Sequence, residues 1–272
     1  MADDLAHVWR RGDLYDDRTR TTARRADRVV LLLAAVLGSV AFVAAGRFVA
    51  CQFVPASSIG VLFIGNSYTY VNDLPRHVRS AQAPGGHHVE TSTAAPGGAF
   101  LADAVTTPEV LAAINGTKWT AVVLQEQSQL PANASEAART FIPAVARLAS
   151  MALADGARPY VLETWAHRDG WPDLGQDYAA MQRAINAAYA TAAQGASATV
   201  IPAGEAWQRA LAATLPQALW QEDGSHPAPA GTYLAACVAY QTIFGESPVG
   251  LGDHEGLPDD VAAKLQRIAA GG

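Results

Sequence analysis

Short apolar runs that alternate with long stretches of helical periodicity constrain this chain more than any other feature. Val61-Leu62-Phe63-Ile64, Thr120–Gln125, Pro159–Trp165 and Ala198–Pro202 each read as a buried strand, and His87–Thr91 as a further one after the first. Between and beyond them, residues 73–82, 100–113, 134–153, 175–193 and 229–244 read as helices, with others beginning near Gly204 and Leu257. Strand and helix in alternation predict an α/β domain, with a parallel sheet covered on both faces. Hydrophobic residues make up 50% of the 272 and charged residues 16%, enough to bury a sizeable core.

The first strand leads into Gly65-Asn66-Ser67-Tyr68-Thr69. Gly65 breaks the run, which sets Ser67 at the carboxyl end of a strand, where ligands bind in open α/β sheets. Ser67 therefore either caps the following helix or serves the chemistry of a site. Three other places are candidates on the same reasoning. Pro96-Gly97-Gly98 follows the second strand, and paired glycines let backbone approach a ligand. Gln125-Glu126-Gln127-Ser128-Gln129 closes the third strand. Glu163 and Trp165, at the end of the fourth, are expected to line a substrate cleft, with His167 beyond them as a rival base. Far along the chain stands Asp223-Gly224-Ser225-His226-Pro227.

Together, Gly-Asn-Ser-Tyr-Thr and the late Asp-x-x-His resemble the SGNH (GDSL-like) hydrolase superfamily over about residues 58 to 250. The resemblance implies a three-layer α/β/α, flavodoxin-like sheet. It also implies a catalytic set of Ser67, Asp223 and His226. A serine hydroxyl needs an adjacent base, and a histidine base needs a partner that fixes its tautomer. His226 and Asp223 are expected in those roles. For the oxyanion the resemblance implies the N–H groups of Ser67 and Gly98, with Gly97 as the alternative. The usual Gly-x-Asn-Asp motif is missing here. Gln125 is expected to supply the third donor, by likeness to the Gln-Gly-Glu motif of sialate-esterase-like relatives. Gln127 and Gln129 are its rivals. The activity implied is that of a serine ester hydrolase acting on O-acyl, chiefly acetyl, groups of carbohydrates or on small esters. Acyl transfer to an envelope glycan and a silent glycan-binding domain are the alternatives. No cofactor and no metal is required.

The N-terminal region is of another kind. Residues 1–28 are polar and crowded with arginine towards their end, and residues 29–46 carry no charge. As a helix those 18 residues would span about 27 Å, close to a hydrocarbon core of about 30 Å. The arrangement predicts a cytoplasmic segment over 1–28, a transmembrane signal anchor over 29–50 and an extracytoplasmic hydrolase domain over 58–272, secreted instead if the anchor is cleaved. The formal net charge is −6, and beyond residue 56 the 19 Asp and Glu outnumber the 11 Lys and Arg; no basic patch stands out in the main domain, so nucleic acid is not an expected partner. Of the two cysteines, Cys237 falls in an apolar helix and reads as a core thiol.

Overall fold

The structure, a computed structural model, describes residues 58–81, 88–215, 218–254 and 256–272. The expected cytoplasmic segment, the transmembrane segment and Cys51 lie outside the described residues. Among those described, no helix is long and apolar enough to cross a membrane.

Five strands form one sheet: β1 (Ile59–Ile64), β2 (Val89–Ala94), β3 (Ala121–Leu124), β4 (Arg158–Leu162) and β5 (Thr199–Ile201). Their order is β2-β1-β3-β4-β5 and every pair is parallel. The helices are α1 (Ser67–Tyr70), α2 (Leu74–Ser80), α3 (Leu101–Ala104), α4 (Pro108–Gly116), α5 (Ala134–Glu136), α6 (Ile142–Ala154), α7 (Tyr178–Ala196), α8 (Ala203–Ala212), α9 (Pro229–Phe244) and α10 (Asp259–Ala269). The expected helix over 100–113 is two, α3 and α4, because Pro108 cannot continue a hydrogen-bonded turn and starts a new helix instead. One wide turn, Ala137–Phe141, joins α5 to α6 just before Pro143.

Alternating residues of the strands feed two separate cores. Val61, Phe63, Val123, Tyr160 and Leu162 pack with α2, α8, α9 and α10, whereas Leu62, Ile64, Val122, Leu124 and Val161 pack with α3, α4, α6 and α7. β1 and β3 are buried on both faces, which is why they read as unbroken apolar runs. The chain leaves β1 towards β2 on one side and returns to β3 on the other. The strand order therefore reverses at the β1–β3 pair, and a crevice forms there at the carboxyl ends of the strands. The exits of β1 and β3 carry Ser67 and Gln125.

Candidate active site

The Ser67 turn is set by Asn66. Its side chain accepts the Tyr68 N–H and so caps α1, leaving Ser67 as the first residue of that helix. Gly65 has to be glycine, since a Cβ there would lie 2.5 Å from Gln125 Oε1 and 2.7 Å from Thr69 Oγ1. Just after α1, Asn72 and Asp73 both adopt left-handed backbone, with φ of 58° and 52°. Asn72 is held there by its amide, which donates to the carbonyl of Pro227 at 2.8 Å and to Thr232 Oγ1 at 3.0 Å. This link ties the end of the serine turn to the segment that follows His226.

Ser67, His226 and Asp223 come together. Ser67 Oγ and His226 Nε2 are 2.9 Å apart, and His226 Nδ1 lies 2.5 Å from Asp223 Oδ2. The other oxygen of Asp223 accepts the backbone N–H groups of Ser225 and His226, at 2.9 and 3.0 Å. Partial burial works against ionisation of Asp223. The hydrogen bonds from the His226 ring and from the two backbone N–H groups outweigh it and hold the carboxyl below its ordinary range. The two side chains remain 35% and 45% exposed, so the pair opens to solvent. His167 is not part of this chain. Its Nε2 sits 3.0 Å from Ser128 Oγ and 3.0 Å from Ser225 Oγ, and burial depresses its basicity.

Among the described residues, the N–H of Ser67 and the N–H of Gly98 have no protein acceptor. Gly98 has φ of 69°, a conformation in which glycine is favoured, and a Cβ there would meet nothing. Gly97 lies beside the Tyr70 hydroxyl.

Gln125 departs from expectation. Its amide N–H groups go to Asn66 Oδ1 at 3.0 Å and to the Glu126 carbonyl at 2.5 Å. Its oxygen accepts from the Asn66 N–H at 3.0 Å and from Thr69 Oγ1 at 2.9 Å. With both donors engaged and the residue 1% exposed, Gln125 lies beneath the serine turn and does not reach an oxyanion. Of its rivals, Gln127 uses its oxygen to accept the N–H groups of Gln129 and Leu130 and so shapes the following turn. Sequence reasoning passed over Glu126, whose buried carboxylate accepts the Leu101 N–H with both oxygens, at 3.2 and 3.3 Å, and the Gln127 N–H at 2.6 Å. Burial pushes its carboxyl up to about 7. The signal was present as a charged residue two positions after a fully apolar strand.

The expected cleft residues Glu163 and Trp165 are both in the core. Glu163 is buried, accepts the Glu205 N–H at 3.1 Å and so covers the start of α8. Burial, reinforced by the nearby Glu205, pushes its carboxyl up to about 8. Trp165 is fully buried, stacked between Tyr68 and Trp207 at centroid separations of 4.9 and 4.2 Å. A strand end points side chains both up to the cleft and down into the layer below, and these two go down. Trp165 touches the site only through its indole N–H, which donates to the Ser225 carbonyl at 3.1 Å. The large aromatics left exposed near Ser67 are Tyr70 and Phe100. Among the described residues, no cluster of three or more His, Cys, Asp or Glu side chains could hold a metal ion.

No protein-family model matches the chain, and no curated protein matches it in sequence. Solved structures do. A protein from Slackia heliotrinireducens described as an SGNH hydrolase is 31% identical, with a TM-score of 0.60, over 69% of this chain and 100% of that one. A DUF4886 family protein from Bacteroides uniformis shares 19% identity at a TM-score of 0.63, over 79% and 94% of the two chains. A variant of Axe2, an acetyl-xylooligosaccharide esterase from Geobacillus, shares 16% identity at a TM-score of 0.50, over 69% and 95%. The last two share the fold. The first adds sequence identity across its whole length, and on that ground the chain belongs to the SGNH hydrolase superfamily.

Proposed function

We propose that the protein is a serine esterase that removes O-acyl groups, acetyl above all, from carbohydrate or small ester substrates. The observation that carries this reading is the unbroken path from Ser67 Oγ to His226 Nε2 and from His226 Nδ1 to Asp223. Ser67 Oγ attacks the ester carbonyl while its proton passes to His226 Nε2. Asp223 accepts the Nδ1–H, holds the tautomer and stabilises the imidazolium. The oxygen of the tetrahedral intermediate takes hydrogen bonds from the N–H groups of Ser67 and Gly98. His226 then gives its proton to the departing alkoxide, which leaves an acyl-serine and a free alcohol. Water attacks the acyl-serine, His226 takes one of its protons, and that proton returns to Ser67 as the acid leaves.

Two observations favour a sugar as the alcohol. The exposed rings of Tyr70 and Phe100 flank the serine and glycine turns and offer flat apolar faces to a pyranose. Axe2, which shares the fold, is an acetyl-xylooligosaccharide esterase. The charge-free run over 29–46 beside its arginine cluster supports a membrane anchor with the enzyme outside the cytoplasm.

Labelling by a fluorophosphonate probe, together with acetate release from acetylated sugars and p-nitrophenyl esters, tests the reading. A wild-type protein that neither labels nor releases acetate ends it. Product analysis with an added glycan acceptor separates hydrolysis from transfer.

A further inference from the structure

We infer that Gln125 and Glu126 are positioning residues that hold the backbone N–H donors of an oxyanion site. The inference rests on the esterase reading above. The two residues leave the end of β3 together and serve one loop each. Gln125 grips the serine turn at three points: the Asn66 N–H, Asn66 Oδ1 and Thr69 Oγ1. Glu126 grips the glycine loop where it enters α3, through the Leu101 N–H. The two loops are also joined directly, since Asn66 Nδ2 donates to the Ala99 carbonyl at 3.0 Å. Gln125 Nε2 closes the circuit on the Glu126 carbonyl.

The result is a ring of buried hydrogen bonds. It runs from Gln125 to Asn66, across to Ala99, along to Leu101, down to Glu126 and back. The two N–H groups outside the ring are those of Ser67 and Gly98, one on each loop. Their separation and aim are therefore set by the ring rather than by either loop alone. Buried polar groups satisfied in this way are rigid, since each bond opened leaves a partner unpaired in a dry setting. Gln125 and Glu126 are 1% and 0% exposed. Gly65 leaves the space that Gln125 Oε1 occupies. A carboxyl at 126 suits its place, because its two oxygens between them accept three N–H contacts.

The test compares Gln125→Met, Glu126→Gln and the control Gln127→Ala with wild type. Each is measured for kcat and KM on p-nitrophenyl acetate, fluorophosphonate labelling rate and melting temperature. Displacing donors by a fraction of an ångström to 1 Å costs about 100-fold in rate. Gln125→Met should therefore lower kcat by about 100-fold with KM changed by less than about threefold, and slow labelling in step. Glu126→Gln keeps one acceptor and its size, so it should fold and lose about tenfold in kcat. If Gln125→Met fails to fold, Glu126→Gln decides. Variants that melt like wild type and turn over normally overturn the inference while leaving the esterase reading intact. Equal losses in all three, the control included, overturn it as well. A wild-type enzyme that does not label overturns both.

Discussion

Tyr68 lies parallel to Trp165, with ring centroids 4.9 Å apart and planes inclined by 4°. Tyr68 follows the nucleophile directly, and its hydroxyl lies 2.7 Å from Ser225 Oγ. Trp165 donates to the carbonyl of the same serine. The stacked pair thus grips Ser225 from two sides, between Asp223 and His226. Below it the column continues through Trp207 to Trp220. The loop that carries Asp223 and His226 rests on these rings as well as on neighbouring loops, through the Arg168 N–H to Gly224 and the Asn72 amide to Pro227.

Replacing Trp165 should therefore act on stability and on rate. Trp165→Ala empties a fully buried site, and truncations of this kind cost about 3–5 kcal/mol. Trp165→Phe keeps a ring in the stack but strands the Ser225 carbonyl, at about 1–3 kcal/mol. Denaturant unfolding measures both, and an exposed, substrate-facing Trp165 would give near-zero values. Esterase kinetics on the phenylalanine variant should show lower kcat as the loop loosens.

Removing the nucleophile should abolish turnover and probe labelling while the fold persists. Ser67→Ala, His226→Ala and a double variant should lose similar amounts, because the groups act as a unit. Asp223→Asn keeps the geometry and presents the wrong hydrogen-bonding face to Nδ1, so kcat should fall by about 10⁴-fold. Steady-state kinetics with far-UV circular dichroism on each variant checks this. A Ser67→Ala protein that labels like wild type would remove Ser67 from its role.

Stability should fall as the pH rises from about 5 to 8. The carboxyls of Glu163 and Glu126 are raised from an ordinary 4.5 to about 8 and about 7. In this range the folded protein keeps protons that the unfolded chain releases, so raising the pH favours unfolding. Each group contributes a slope of at most about 1.4 kcal/mol per pH unit between its two values. Asp223 is shifted the other way, so its contribution is lost only in more acidic solution. Melting temperatures across this range should decline, and Glu163→Gln should flatten the decline. A flat profile for wild type would contradict the buried, protonated state of Glu163.

The anchor is tested by topology. A reporter fused after residue 272 should be active only if it is of a type that works outside the cytoplasm, and deletion of residues 1–50 should release the protein from the membrane fraction. Full-length protein recovered in the cytoplasmic fraction would refute the assignment.

Much of the fold was legible because its signals are local. Apolar runs gave β1, β3, β4 and β5, while β2 was read from His87–Thr91 and lies a little later at Val89–Ala94; burial of β1 and β3 on both faces made those two plainest. Ser67, Asp223 and His226 could be named since a strand exit and an Asp-x-x-His spacing are visible along the chain. Gln125 could be located but not aimed. Whether its amide points up to a ligand or sideways to Asn66 depends on a partner 59 residues away. Trp165 and Glu163 went astray for the same reason: position after a strand says that a side chain is near the crevice, not which side of the sheet it faces. The bonds from Glu126 to Leu101 and from Asn72 to Pro227 join distant segments, and no periodicity announces them.

The acid and the base stand three residues apart on one short loop, and the same aspartate also binds that loop's backbone. Base and orienter therefore travel as one cassette. If the loop swings, the imidazole carries its carboxylate with it, and the bonds that open include those of His226 to Ser67 and of Ser225 to Tyr68, Trp165 and His167. An enzyme wired in this way can idle without dismantling its proton acceptor. Rest and action differ in where the cassette sits, not in how its base is held.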